Sequence, residues 1–401
     1  MKLTSTMGLN VYDQAIANTK WGYYGKVSGK SIEHVTGCVY SQEPAAQMVA
    51  QVAVPKKGNR VLDLAAAPGC KTTHLLSYLD NTGLLVSNEI SKKRSKILVE
   101  NVERFGAQNV VVINESAENL AKVFPEFFDT IVFDGLCSGE GMFRKDPEAI
   151  QYWHKDYPLE CANLQKSILD QSLAMPKPGG ELIYSTCTWS QEENEGVVNW
   201  LLENYSYLQL LDIPKINGMV EGIDMPQAAR MYPHYHKGEG QFVAKLKDTR
   251  SPQVTKPVKA QKSNLTREQL ELWKAFEKNQ LKEPLKGFLQ TFGDHLYLLP
   301  DGLPSLKHLK IARNGLELGV FKKKRFEPSF ALGLALNPED VLEKITISEE
   351  DFSAYVSGNV VNLADSYPNG WYQVVIKGNG LGFAKIVGKT LKNSFPKGLR
   401  F

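Results

Sequence analysis

Short apolar runs recur along residues 60–248, and stretches with helical spacing separate them. "RVLDLA", "GLLVSN", "NVVVIN", "DTIVFD", "ELIYS" and "QFVAKL" read as buried strands of a mostly parallel sheet, because strands covered on both faces lose the polar alternation. Between them, Lys71–Leu79, Lys92–Phe105, Leu159–Met175 and Glu192–Asn204 place apolar residues at three- and four-residue steps. This alternation predicts an α/β fold, a doubly wound sheet with helices on both faces, over residues 51–248. The periodicity is lost over 249–265, where Pro, Lys, Ser and Thr take over and predict an exposed linker. "REQLELWKAFEKNQL" then resumes a helix, and strand-like pieces with Gly and Asn turns follow, so residues 266–401 are expected to form a smaller α+β region.

Length and composition narrow the classes. The 401 residues suffice for two or three cores, and 42% apolar with 23% charged residues fits a soluble globular chain. No apolar stretch reaches the length of a membrane span and the N-terminus lacks a signal-peptide core, which predicts a cytoplasmic protein with no membrane partner. The five cysteines (Cys38, Cys70, Cys137, Cys161, Cys187) are odd in number and widely spaced, so a reduced chain without a zinc site is expected. "HYH" at His234–His236 has no second ligand cluster, and no metal is expected there either. A net charge of +3 says little until its distribution is considered.

"RVLDLAAAPGCKTTHLLSYL" combines a strand, a turn at Pro68-Gly69 and a helix opening near Lys71. Such a turn offers free backbone N–H groups and the positive end of a helix. It matches neither of the glycine patterns that mark dinucleotide and triphosphate loops. The next strand ends at Glu89, where a carboxylate can accept from ribose hydroxyls. Adenosine, ribose and a carboxylate without phosphate describe S-adenosylmethionine; the plain alternative is a strand–helix turn that binds nothing.

Asp134 ends the fourth run, Cys137 follows it in a glycine-rich loop, and Cys187 ends the fifth run. A lone free cysteine is usually a core residue. Two at neighbouring strand ends, opening into one crevice with a methyl donor, suggest chemistry. C5 of cytosine is a poor nucleophile until a thiolate adds to C6, and a thiol pair with a carboxylate to hold the base edge suits that reaction. The target base must leave its stack to be reached.

Four motifs in this order carry a resemblance: "LDLAAAPGCKT", "FDGLCSGEGMFRKDP", "YSTCTWSQEENE" and "RMYPHYHKGEGQFVAKL". From about Trp21 onward the chain resembles the NOL1/NOP2/Sun family of RNA cytosine-C5 methyltransferases, and within it the bacterial RsmF branch acting on small-subunit ribosomal RNA. The resemblance implies a Rossmann-like class I methyltransferase sheet followed by a PUA-like RNA-binding module. It implies Cys187 as the attacking thiol and Cys137 as the thiol that helps release the product, with Asp134 beside them. Cofactor contacts fall on Ala65, Ala66, Ala67, Pro68, Gly69, Cys70, Lys71, Glu89 and Asp134, with Glu115 and Ser116 on the adenine side. Cys70 stands in place of the family's second glycine, and Leu136 in place of its loop proline. The first twenty residues do not resemble the family's N-terminal RNA-binding module, so residues 1–50 are expected to be a shortened segment.

Charge distribution agrees with an RNA partner. "FKKKRFEP" at Phe321–Pro328 is basic with interleaved aromatics, and Trp371–Phe401 holds six Lys or Arg and no acid. Arg144 and Lys145 flank the Cys137 loop and can contact backbone phosphates. The expected activity is S-adenosylmethionine-dependent methylation of 16S ribosomal RNA by a monomer. Transfer RNA as substrate is the rival inside the enzyme class, and a non-catalytic ribosome-assembly factor the rival outside it.

Overall fold

The computed structural model describes residues 14–251 and 262–401. Residues 1–13 of the expected N-terminal segment, and 252–261 of the expected linker, lie outside the described residues. After a two-stranded ribbon and a short helix, α1 (Pro44–Ala53) begins at an N-cap, Glu43, whose side chain accepts from the Ala46 amide.

The sheet then unfolds in order: β1 (Arg60–Asp63), α2 (Cys70–Leu79), β2 (Leu84–Asn88), α3 (Lys92–Phe105), β3 (Val110–Ile113), α4 (Ala117–Val123), β4 (Phe128–Asp134), α5 (Tyr157–Ser172), β5 (Pro176–Thr186) and α6 (Glu195–Asn204). Strands β6 (Leu208–Leu211), β7 (Val220–Gly222), β8 (Met225–Met231) and β9 (Gln241–Asp248) complete the chain to the linker. The order β3-β2-β1-β4-β5 is parallel, with the reversal beside β1 that opens a crevice at the carboxyl ends of β1 and β4. Alternate residues serve the two faces: Leu62 and Val86 join one core cluster, Val61 and Leu85 the other.

One expectation changes here. The sheet is mixed rather than mostly parallel, because β9 lies antiparallel to β5 and carries β8 and β6 antiparallel in turn. The region beyond residue 266 also adds a strand to this sheet. Its strand β10 (Ile311–Arg313) pairs antiparallel with the edge strand β3. Arg313 is buried there, donating to the carbonyls of Val110 and Ala107. Covering an edge with a strand from elsewhere satisfies backbone groups that would otherwise be open. Helix α4 fell in a segment with no helical expectation, and α6 begins at Glu195, three residues after the expected start.

Beyond β10, Leu316–Lys322 and Arg325–Pro328 form a hairpin in a four-stranded sheet packed on helix Arg267–Gln280. The last unit pairs two long strands, Val361–Ile376 and Asn379–Leu391. In the basic runs most aromatics turn inward: Phe321, Phe326, Phe383 and Phe395 are buried, while Phe401 is exposed at the end of the run. The buried rings there serve the core. Among the described residues, no helix is long and apolar enough to cross a membrane.

Candidate active site

Strand β4 ends at Asp134 and strand β5 at Thr186, so their loops leave side by side. The Gly135 amide donates to the Ser185 carbonyl at 2.9 Å, which holds the two loops in step. Cys137 and Cys187 are both half-buried, and their Sγ atoms lie 3.2 Å apart. The hydrogen bond between them, with burial, holds the Cys137 thiol well above the ordinary thiol range. Cys137 is therefore a neutral thiol at physiological pH, able to donate to the Cys187 sulfur.

Three donors surround Asp134. Ser185 Oγ donates at 2.6 Å and Gln241 Nε2 at 3.0 Å to Oδ1, and Lys71 pairs with Oδ2. Burial pulls the Lys71 ammonium down, but the carboxylate beside it more than offsets this, and the net shift is upward. Lys71 thus stays charged. Asp134, Lys71 and the two thiols form one constellation, drawn from β4, α2 and the loop after β5.

The thiol loops have a floor of buried polar groups. The Glu193 carboxylate accepts from the Ser138 amide at 3.1 Å and from Gln165 Nε2 at 2.8 Å. Burial raises its carboxyl, against those donors. Ser138 Oγ and Thr188 Oγ1 meet at 2.8 Å, tying one cysteine loop to the other. The Gly141 amide donates to the Cys187 carbonyl at 3.0 Å, and the Gly240 amide to the Gly141 carbonyl at 2.9 Å. A Cβ on Gly141 would lie 2.7 Å from both Cys187 O and Gly240 Cα, so only glycine permits this crossing. Behind it, Arg230 and Glu195 form a buried bidentate pair, and Arg230 also donates to the Trp189 carbonyl.

The loop from Ala65 to Lys71 sits at the end of β1. Ala67-Pro68 is cis, and Gly69 holds φ at 115° as the N-cap of α2 without a side-chain cap. The leading amides of α2 therefore have no side-chain oxygen at that end. From α3, Arg94 donates to the Ala67 carbonyl and Asn101 to the Pro68 carbonyl, each at 2.7 Å. Asp63 is buried below the loop, accepting from Thr72 at 2.6 Å with its Oδ1 unpartnered, and burial raises it to about 7. Cys70, the first residue of α2, has its thiol raised by burial.

Glu89 is buried after β2, accepting from the Ser91 amide at 2.8 Å and lying 3.5 Å from Arg94. Glu115 and Ser116 are drawn into other roles. Ser116 caps α4 through the Asn119 amide. Glu115 accepts from Asn119 Nδ2 at 2.9 Å and from the Lys310 amide at 3.1 Å, which holds its carboxyl below the usual range. Both still lie at the carboxyl end of β3, on the same rim as Glu89. Cys38 and Cys161 are buried. Among the described residues no group of His, Cys, Asp and Glu has a metal-holding arrangement.

Sequence reasoning missed Asp63, Ser185, Glu193, Arg230 and Gln241. A signal existed for Asp63, Ser185, Arg230 and Gln241, each a polar residue set inside or beside an apolar run, but not for Glu193, which lies in the polar stretch "SQEENE".

The pattern of the family described as 16S rRNA methyltransferase RsmB/F matches residues 50–247. The first C-terminal domain of the RsmF rRNA methyltransferase matches 275–336, and the methyltransferase RsmF PUA domain matches 342–401. The ribosomal RNA small subunit methyltransferase F of Escherichia coli O17:K52:H18 is 31% identical over 393 residues, covering 92% of this chain and 80% of that protein. That decides the family. The chain belongs to the RsmF family of rRNA methyltransferases. The Shewanella loihica member is 31% identical over 401 residues, covering 94% and 82%. Among solved structures, NSun6 from Pyrococcus horikoshii with SFG gives a TM-score of 0.52 at 30% identity, over 57% of this chain and 58% of that one. A methyltransferase homolog protein from the same organism gives 0.50 at 29%, over 59% and 77%. The α/β fold expected from the sequence and the RsmF resemblance thus both hold.

Proposed function

We propose that this RsmF-family chain transfers a methyl group from S-adenosylmethionine to C5 of cytosine in 16S ribosomal RNA, through a transient bond between Cys187 and C6 of the ring. The observation that supports this most is the pair of half-buried thiols in contact, beside an Asp134–Lys71 ion pair, at the ends of adjacent parallel strands. The substrate reading leans on the relatives named for the small ribosomal subunit.

The residues of the β1–α2 loop fit the cofactor. Small side chains at Ala65–Ala67, the positive φ of Gly69, the uncapped start of α2 and the orphaned Asp63 Oδ1 all leave polar groups for a ligand to use. Ala65–Lys71 and Glu89 would hold it. When bound, S-adenosylmethionine supplies an electrophilic methyl group on a sulfonium.

Cys187, as thiolate, forms an Sγ–C6 bond; the 5,6 double bond breaks and its electron pair collects at C5, the atom that is methylated. Asp134 accepts from the amino edge of the ring, exchanging one of its present donors for it. The C5 proton must then leave, the pair returns to the ring, and the Sγ–C6 bond breaks to free Cys187. Cys137 is placed to take that proton. Its bond to Cys187 is the largest cause of its raised pKa. In this reading Cys137 gives its own proton to solvent after the Cys187 sulfur is committed to carbon, and its thiolate is the base. The outward-facing lysines and arginines of the C-terminal region serve as phosphate contacts in this reading.

The test is incubation of the protein with unmodified small ribosomal subunits and methyl-labelled S-adenosylmethionine, followed by nucleoside analysis. Label in 5-methylcytosine, absent with Cys187→Ala, is the expected result. Label in another nucleoside would overturn the reading.

A further inference from the structure

One motif of the sequence, "RMYPHYHKGEG", is only partly absorbed by the site described above. Its arginine and glycines support the thiol loops, but its rings do something else. Trp189, two residues past Cys187, faces Tyr232 at 6.3 Å between centroids. Tyr232 stacks with His234 at 5.5 Å and 27°, and His234 meets Tyr235 at 4.1 Å. Four rings thus run as a continuous ladder from the Cys187 loop to the surface.

The ladder is exposed where a merely structural one would be buried. Trp189 is 36% exposed and Tyr235 is 61% exposed, large aromatic faces left to water at the two ends of the ladder. It is also rigid. Arg230 Nη1 donates to the Trp189 carbonyl at 2.9 Å and lies 3.3 Å from the Tyr232 hydroxyl, while Glu195 locks the same guanidinium from behind. Cations stand next to it. A cleft of about 450 Å³ is lined by Arg144, Lys145 and Lys237, with Glu43 and Glu239 at its base. Arg144 is paired with Glu239, whereas Lys145 makes no ion pair among the described residues.

Exposed rings with a basic cleft alongside have the chemistry of unpaired RNA: bases stack on aromatic faces while cations follow the phosphates. A helical substrate would present no free base faces. We infer that the Trp189–Tyr232–His234–Tyr235 ladder is the stacking platform for unpaired nucleotides flanking the target cytosine, with their phosphates in the Arg144–Lys145–Lys237 cleft. This rests on the RNA reading above and narrows the substrate to a single-stranded or splayed segment. It also gives Lys237 and Lys145 a part in positioning that the thiol chemistry does not require.

The experiment measures binding of a fluorescent unpaired RNA of about ten nucleotides containing one cytosine, and of the same strand in a duplex, to the full chain. The wild type is expected to bind the unpaired strand more tightly. Tyr235→Ala should weaken that binding about tenfold or more, while Tyr235→Phe, which keeps the ring, should restore it. Lys145→Ala and Lys237→Ala should each lower the salt dependence by about one unit of slope. Equal binding by Tyr235→Ala, or tighter binding of the duplex, would overturn the inference. The two readings fail separately: methylation of ribosomal RNA with Tyr235→Ala binding unchanged sinks the platform alone. Unpaired-RNA binding that depends on Tyr235, without any 5-methylcytosine formed, supports the platform and sinks the enzyme reading.

Discussion

The two sides of the crevice are built in different ways. The side that carries Ala65–Lys71 is a local structure: a strand, a tight loop and a helix within twenty residues, pinned by two side chains of the next helix. The thiol side is assembled from four distant segments. Gly141 crosses Gly240, Glu193 holds the Ser138 amide, Gln241 reaches Asp134, and Glu43 accepts from the Glu239 amide at 2.7 Å while capping α1. A local loop depends on its own glycines and caps. A site assembled at long range depends on the packing of everything that delivers its parts, and its chemistry is correspondingly exposed to remote substitutions.

The sharpest break of this contrast is at Cys187, the proposed nucleophile. Cys187→Ala is expected to lower methyl transfer by at least about a thousand-fold, while the cofactor side, measured by calorimetric titration with S-adenosylmethionine, is unaffected. Next in size is a remote change on the thiol side. Arg230→Met leaves Glu195 buried and unpaired, both side chains being 2% exposed, and is expected to cost about 3–5 kcal/mol in the denaturant unfolding of the sheet. Substitution at the crossing comes third. Gly141→Ala places a Cβ against backbone, and a loss of about 1–3 kcal/mol in the same assay is expected, together with a displaced Cys187 loop seen as altered thiol alkylation rates.

The last effect lies under the β1–α2 loop and is read in the pH dependence of stability. Asp63 is raised to about 7 by burial, so between about pH 4 and 7 the folded state holds a proton that the unfolded chain has released. The contribution of this group to stability is therefore present at low pH and declines as pH rises through that window. Asp63→Asn should flatten that part of the stability–pH curve; an unchanged slope would show that Asp63 is ionised in the folded protein.

The same contrast explains what was legible. The strands, the β1–α2 loop and the two cysteines at neighbouring strand ends followed from apolar runs and their terminal residues, because each is written in one contiguous stretch. The mixed character of the sheet was not, since "QFVAKL" carries no mark of direction and only its pairing with β5 shows it to be antiparallel. The pairing of strand β10 escaped for a related reason: "LKIARNGLELGVF" reads as strand-like, but nothing in it says that Ile311–Arg313 close the edge of a sheet about two hundred positions earlier. What a sequence does not carry is the set of partners around such residues: Glu115 accepts from the Lys310 amide, just before that strand, and Ser116 caps α4. The basic runs of the C-terminal region read as phosphate-binding with interleaved aromatics, and most of those rings fill cores; an exposed ring, Trp189, stands two residues from Cys187.

The central claim is that Cys187 bonds to the base and Cys137 lets it go. Its most direct measurement is a denaturing gel of Cys137→Ala incubated with small-subunit RNA and S-adenosylmethionine. A protein–RNA adduct that survives denaturation and disappears in the Cys137→Ala, Cys187→Ala double variant is the predicted result. An adduct that forms with Cys187→Ala alone and not with Cys137→Ala would reverse the roles and contradict the account.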